Sequence, residues 1–207
     1  MFALADVNFK DIIHYPNIEI QKERATFICG QSGCGKSTML KLLNGVLSVD
    51  GGIITYLGKN VEELEPIAHR RDVLLVSQSV FLFDSSIKYN FNEYYAYREL
   101  EYLNEEEMKF WLELCCVQLP LDAMCQRLSG GERHRVFMAI NCSFRPKVLM
   151  LDEPTSALDD KNSNELIGNM VSYCKKNSVT LIIVSHDIAL AEQYADCIIT
   201  LTKGAQQ

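Results

Sequence analysis

The chain of 207 residues has no run approaching the ~20 consecutive apolar residues that a membrane-spanning helix needs. Its start, MFALADVNFKD, lacks a basic segment followed by a long apolar one, so it does not read as a secretory signal and the chain reads as intracellular. An excess of positive charge is missing too. Lys and Arg number 20 against 27 Asp and Glu, and the formal net charge of −7 argues against nucleic acid or anionic lipid as the main partner. Among eight cysteines there is no C-x-x-C pair, and Cys115 and Cys116 are adjacent, a spacing that suits neither zinc nor a dithiol redox motif. With 48% apolar residues the chain has core enough to need no disulfide staples. Cys29, Cys142, Cys174 and Cys197 sit in apolar runs and are expected to be small buried hydrophobes. Repeats, low-complexity tracts and linker-like runs are absent, and the length suits one domain with room for an inserted subdomain.

What is present is a series of short β-branched runs ending in turn or polar residues: ATFICG (25–30), DVLLVSQ (72–78), KVLMLDE (147–153), TLIIVSH (180–186) and CIITL (197–201). Their apolarity is continuous rather than alternating, which predicts strands covered on both faces, as in a parallel sheet. Helical patterns lie between them. Over 162–176, Leu166, Ile167, Met170, Val171 and Cys174 form one stripe, with Asp159 and Asp160 at the N-terminal end where negative charge is favoured. The alternation breaks from about 79 to 129. There Asn104 and Glu107 have capping-box spacing, followed by Met108, Trp111, Leu112 and Cys115 at helical intervals, so this stretch reads as a mostly helical insert with those side chains in its core.

Two segments carry chemistry. GQSGCGKST (30–38) follows a strand, precedes a helical run and fits G-x-x-x-x-G-K-[ST]. In such a loop backbone N–H groups wrap phosphates, Lys36 reaches the β and γ oxygens, and the Ser37 hydroxyl binds Mg²⁺. KVLMLDEP (147–154) is an apolar strand delivering two carboxylates at its end, a costly place for acids unless a cation is near. Asp152 suits the Mg²⁺ shell, and Glu153, one residue on, can polarise an attacking water. A further turn, LSGGERHRV (128–136), opens a helix with Ser-Gly-Gly and reads as a second anion site.

Taken together, these residues resemble the nucleotide-binding subunits of ABC (ATP-binding cassette) transporters over essentially the full length. Gln78 matches the Q-loop glutamine, LSGGE (128–132) the signature, SALD (156–159) the D-loop and His186 the switch histidine. The resemblance implies an α/β fold of the P-loop NTPase kind: a RecA-like, mostly parallel sheet core with an N-terminal antiparallel β part and an inserted helical subdomain. It implies one domain over 1–207, with 1–78 and 130–207 as core and 79–129 as the helical signature subdomain. It further implies an ATP hydrolase using ATP and Mg²⁺. Gly30, Gln31, Ser32, Gly33, Cys34, Gly35, Lys36, Ser37 and Thr38 would bind ATP, and Ser37, Gln78 and Asp152 would hold Mg²⁺ directly or through water. Glu153 would act as general base, His186 as γ-phosphate contact and Lys36 as phosphate clamp. Two copies would pair head to tail, so that Ser129, Gly130, Gly131 and Glu132 meet the partner's ATP.

His134 stands where the family often has Gln, and Ile140 replaces a common arginine. The family's adenine-stacking aromatic falls in a shortened N-terminal region here; Phe9 is the expected stacker, with Tyr15 the other nearby aromatic. LFDSSIKYNF (82–91), LPLDAMCQRLSGGE (119–132) and FRPKVLMLDEPTSALD (144–159) look most like bacterial FetA-type iron-export ATPases, while short importer ATPases for phosphate or other solutes share many of these residues. Either reading implies a location on the inner face of the cell membrane, with a membrane-spanning permease docking near the aromatic-rich residues 79–100. Chromosome-associated relatives carry long coiled coils or zinc modules between the motifs; only about ninety residues separate them here, without heptads. Ribosome-associated relatives carry two cassettes, and a non-catalytic cassette is disfavoured by the presence of Glu153 and His186. Cys34, beside Lys36 at a helix N-terminus, sits where a thiolate is favoured, which raises an expectation of redox or alkylation sensitivity.

Overall fold

A computed structural model describes residues 1–10 and 12–202. The first elements are β1 (Phe2–Phe9), β2 (Ile13–His14), β3 (Ile18–Ile20), β4 (Ala25–Gly30), α1 (Lys36–Leu43), β5 (Gly51–Tyr56) and β6 (Lys59–Asn60). A 3-10 turn (Val61–Glu63), α2 (Pro66–Asp72), β7 (Val73–Val76), α3 (Ile87–Tyr97) and α4 (Glu105–Leu114) follow. After a second 3-10 turn (Cys125–Arg127) come α5 (Gly130–Cys142), β8 (Val148–Asp152), α6 (Asp160–Lys176), β9 (Thr180–Ser185), α7 (Ile188–Tyr194) and β10 (Cys197–Leu201). They gather into two compact units. The first is Met1–Leu75 with Pro146–Glu153 and the segment from Tyr173 onward; the second is Val76–Arg145 with Pro154–Ser172.

The first unit holds two sheets. In one, β1 pairs antiparallel with β2, β3 and β5, and β6 pairs with β5. The other has the order β10-β4-β9-β8-β7, with β10, β4, β9 and β8 parallel. Every residue of β8 and β9 is buried, which accounts for their unbroken apolar sequences. Leu40 and Leu43 of α1, Ile28 of β4, Met150 of β8 and Ile182 of β9 share one core with Phe2, Leu4 and Ile54 of the antiparallel sheet. CIITL departs from the expectation. Cys197, Ile198 and Thr200 are exposed and only Leu201 is buried, because β10 stands at the sheet edge with a neighbour on one side only. Cys29, Cys142 and Cys174 are buried as expected.

In the second unit α4 shows the full capping box: Glu107 N–H donates to Asn104 Oδ1 at 2.9 Å and Asn104 N–H donates to Glu107 Oε2 at 3.0 Å. Met108, Trp111, Leu112 and Cys115 are buried with Ile87 and Phe91 of α3 and Val136 and Ile140 of α5. The stripe expected along α6 is buried in full, Leu166 to Cys174. Asp159 receives the Asn162 N–H at 2.8 Å, capping the first turn. Among the described residues no helix is long and apolar enough to cross a membrane.

Candidate functional site

The phosphate loop grows from the middle of the parallel sheet. β4 lies between β10 and β9, so the chain leaves the sheet at Gly30 under tight constraint. Gly30 has φ +153°, and a Cβ there would lie 2.3 Å from the Leu201 carbonyl oxygen; only glycine fits. At the other end Gly35, φ +97°, precedes α1, and a Cβ would meet the Ile13 side chain and the Tyr15 hydroxyl, each at 2.9 Å. No side chain caps α1. The N–H groups of its first turn are therefore left to an external acceptor, with the helix dipole favouring an anion. Gln31, Ser32 and Gly33 are exposed; Ser37 and Thr38 are half-buried in the first turn.

Lys36 is buried, and its ammonium donates to the carbonyls of Gly30 at 2.8 Å and Gln31 at 3.1 Å. Ser37 Oγ donates to Asp152 Oδ1 at 2.9 Å, joining the loop to the end of β8. Burial, and then the neighbouring Glu153, raise the Asp152 pKa above the usual carboxylate value, although the Ser37 hydroxyl opposes them. A buried carboxylate in that condition, beside a serine hydroxyl, fits a divalent cation. Glu153 turns out of the strand with φ +51°, its N–H held by the Val184 carbonyl at 3.0 Å. Positive φ is uncommon for a residue with a side chain, and here it aims consecutive carboxylates in different directions. His186 follows β9 directly, and its Nδ1 stands 4.0 Å from Glu153 Oε2. Gly30, Gln31, Ser32 and His186 line a cleft of about 660 Å³ whose apolar wall includes Ile188 and Ile198.

The first unit thus brings together the loop, Asp152, Glu153 and His186. Gln78, two residues beyond β7 and exposed, belongs to the second unit, as do the signature residues. Ser129 caps α5, and Glu132 closes a capping box: Ser129 N–H and Oγ–H both donate to Glu132 Oε2, at 2.8 and 2.7 Å. The serine hydroxyl, then its N–H, hold the Glu132 pKa below the ordinary value. Ser129 and Gly130 are exposed, and a Cβ at Gly130 would touch nothing within 4 Å.

One feature lay beyond sequence reasoning. Tyr15 is buried, and its hydroxyl donates to the Gly35 carbonyl at 2.8 Å, bracing the phosphate loop from β2's side; burial, with Cys34 adding to it, pushes its pKa up. The only signal was a lone aromatic shortly before the loop. The Ser129–Glu132 pairing, by contrast, is legible as S-x-x-E spacing within the turn that also reads as an anion site. Phe9 sits at the end of β1, partly buried against the first unit's core, with the Lys10 ammonium 5.4 Å from its ring centre. Cys34 is buried in that core, which removes the solvent access that reagent sensitivity requires. His134 is half-buried and Ile140 fully buried, in the helical unit's core.

Comparison with known proteins adds the following. The family described as "ABC transporter" matches residues 13–156. The "Probable iron export ATP-binding protein FetA" of Escherichia coli K12 is 30% identical over 94% of this chain and 86% of its own length. The "Spermidine/putrescine import ATP-binding protein PotA" of Pasteurella multocida is 36% identical over 94% of this chain, which spans 53% of that protein. Of the curated relatives matched, the chain spans most of some and about half or less of others. Among solved structures, cbiO1 from Clostridium perfringens, "Part of the ABC transporter complex cbiONQ", superposes with a TM-score of 0.81 at 26% identity, over 98% of this chain and 85% of that one.

Proposed function

The chain belongs to the ABC transporter family and is an ATP hydrolase of the ABC type, and from that premise we propose that it works as one of a head-to-tail pair energising a membrane permease. One observation carries the reading. A phosphate loop with Asp152, Glu153 and His186 beside it occupies one unit, while a second, exposed phosphate-seeking turn at Ser129–Gly130 caps a helix in the other.

In the pair, ATP phosphates replace the Gly30 and Gln31 carbonyls as partners of the Lys36 ammonium and take up the N–H groups of α1's first turn. Ser37 and Asp152, with Gln78, would hold Mg²⁺, which when bound supplies charge stabilisation to the β and γ phosphates. The partner's Ser129 and Gly130 present a hydroxyl, N–H groups and a helix N-terminus to the γ-phosphate. Glu153 takes a proton from water as the new water–phosphorus bond forms and the bond from phosphorus to the bridging oxygen of ADP breaks. His186 contacts the departing phosphate. Loss of the shared γ-phosphate contacts frees the halves to part, a ligand-biased two-state switch.

The permease site would be the aromatic surface of the second unit. Phe81 and Tyr97 are 61% and 74% exposed, and Tyr97 stacks on Phe83 with ring centres 6.3 Å apart. Docking there puts the chain on the inner face of the membrane. Metal export is the first substrate reading, supported by the likeness to FetA across 86% of that protein. Import of a small solute is the second, favoured by the higher identity to PotA.

The test is Glu153→Gln. It should bind ATP, elute as a dimer in its presence and hydrolyse at a trace of the native rate. Near-normal turnover would remove Glu153 from the role, and an ATP-bound monomer would remove the pair.

A further inference from the structure

Phe83, in the segment between β7 and α3, sits among four other aromatic rings of the second unit. Phe81, Tyr89 and Tyr94 meet it edge to face with centres 5.1, 6.0 and 6.5 Å away, and Tyr97 lies nearly parallel to it at 6.3 Å. The cluster is held in shape from within the unit. Asn90 is fully buried; its Oδ1 accepts the Phe83 N–H at 2.8 Å, and its Nδ2 donates to the carbonyls of Phe83 at 3.2 Å and Ser86 at 2.9 Å. The Tyr94 hydroxyl donates to the Phe81 carbonyl at 2.7 Å. Yet Phe81, Tyr89 and Tyr97 are 61%, 44% and 74% exposed. A fixed, exposed apolar cluster marks an interaction face, one that is ordered before any partner arrives.

The charge around the cluster is mostly acidic. Tyr89, Glu93 and Tyr97 recur every four residues along α3, so they share a side of the helix, with the carboxylate between the two phenols. The Glu93 charge, first among the causes, raises the Tyr89 pKa, and Tyr97 adds to it. Asp84, Glu99 and Glu101 flank the same segment and are exposed. The two basic side chains of that segment are turned to other partners. The Lys88 ammonium is 2.7 Å from Glu105 Oε1, and the Arg98 guanidinium lies 3.8 Å from the centre of the Phe144 ring. On α5, which packs against α3, Arg133 donates to the Cys125 carbonyl at 2.7 Å.

Given a permease at this face, as proposed above, we propose further that the cluster receives an arginine from a basic cytoplasmic loop of that permease, its guanidinium lying on the aromatic rings with its charge toward Glu93. Aromatic faces attract cations, and the guanidinium, planar and weakly hydrated, stacks on them more readily than an ammonium does. Cytoplasmic loops of membrane proteins are enriched in Lys and Arg, so such a loop is complementary in charge to an acidic face. A second copy of this chain would bring the same acidic groups to the contact and be repelled.

The experiment adds to the full chain a short alanine-based helical peptide bearing two leucines with one arginine between them, and in parallel a twin with glutamine in place of the arginine. Fluorescence anisotropy reads the affinity, and the aromatic ring resonances locate the contact. The arginine peptide should shift Tyr89 and Tyr97 and bind on the order of fivefold more tightly than its twin, a gap that narrows as salt is raised. Tyr97→Leu keeps an apolar side chain without a ring face, and Glu93→Gln removes the charge; each should shrink that gap. Equal binding of the two peptides at these rings overturns the arginine site and leaves a docking face in place. A preference for arginine that both variants leave intact overturns it too, since general attraction to an acidic chain then accounts for it. If neither peptide binds, or the shifts lie away from Phe83, Tyr89 and Tyr97, the arginine site and the docking face fall together. The ATP-driven pair is tested separately by Glu153→Gln and stands or falls on that result.

Discussion

Asp152 shows how a single residue can trade stability for a ligand. Its carboxyl ends β8 buried, with a pKa raised mainly by that burial. A raised pKa means the folded chain holds the proton more tightly than the unfolded one. Stability from this group is then full below the ordinary carboxylate range and is lost as pH rises through the folded value. At neutral pH the ionised form is a net cost, so Asp152→Asn should melt higher than the native chain without nucleotide. The same variant should lose the stabilisation that Mg²⁺-ATP gives the native protein, and a melting series with and without Mg²⁺-ATP reads both effects. Gly35 carries an opposite kind of constraint. Gly35→Ala puts a methyl against Ile13 and the Tyr15 hydroxyl at a left-handed φ, so it should cost about 1–3 kcal/mol by denaturant melts and weaken ATP binding in a direct titration. The glycine itself was legible from its motif. Its neighbours were not, because Ile13 and Tyr15 belong to a segment held by the pairing of β2 with β1 and meet Gly35 about twenty residues further along the chain. Motif reading names the residues proposed to meet substrate, and misses those that hold the loop in place.

Elements were legible where local and tertiary signals agreed. β4 and β10 have the bounds of ATFICG and CIITL, and β8 and β9 fall within their runs, because a strand buried on both faces writes its burial directly into sequence. β10 shows the limit of that inference: its sequence is as apolar as the others, yet an edge position leaves most of it uncovered. Helix α4 was legible because its cap is local, two side chains and two N–H groups within four residues. Asn104→Ala removes the Oδ1 acceptor and should destabilise the chain by about 1 kcal/mol in a chemical melt. Rates of hydrolysis at saturating ATP should not move, since α4 contributes no residue to either phosphate-seeking turn. In α5 the same box has a second consequence. Under the proposed pairing Ser129 would reach the γ-phosphate only by giving up the Glu132 carboxylate, and the turn is already set in helical geometry without nucleotide.

At the scale of the molecule, the phosphate loop and the signature belong to different compact units, and under the proposed pairing each composite site draws one part from each copy. Complementation follows. Lys36→Ala and Ser129→Arg should each be nearly inactive as homogeneous preparations. Mixed, they form heterodimers in which the loop of one copy meets the signature of the other with both parts native, so an ATPase assay on the mixture should recover a substantial share of activity. Recovery absent at every ratio would count against sites shared between copies. The sheet order β10-β4-β9 bears on something other than catalysis: the time at which the chain becomes able to work. Residues 25–38 leave a ribosome well before both strands that flank β4, which come from residues 180–201. At roughly 5–20 residues per second that gap is on the order of ten seconds, during which the nucleotide motif is complete as text and has no sheet to stand in. A chain released by a stall anywhere in that interval carries the motif without the strands that flank β4, and is expected to bind nucleotide weakly or not at all. Synthesis to the last strand is thus a condition for the first loop.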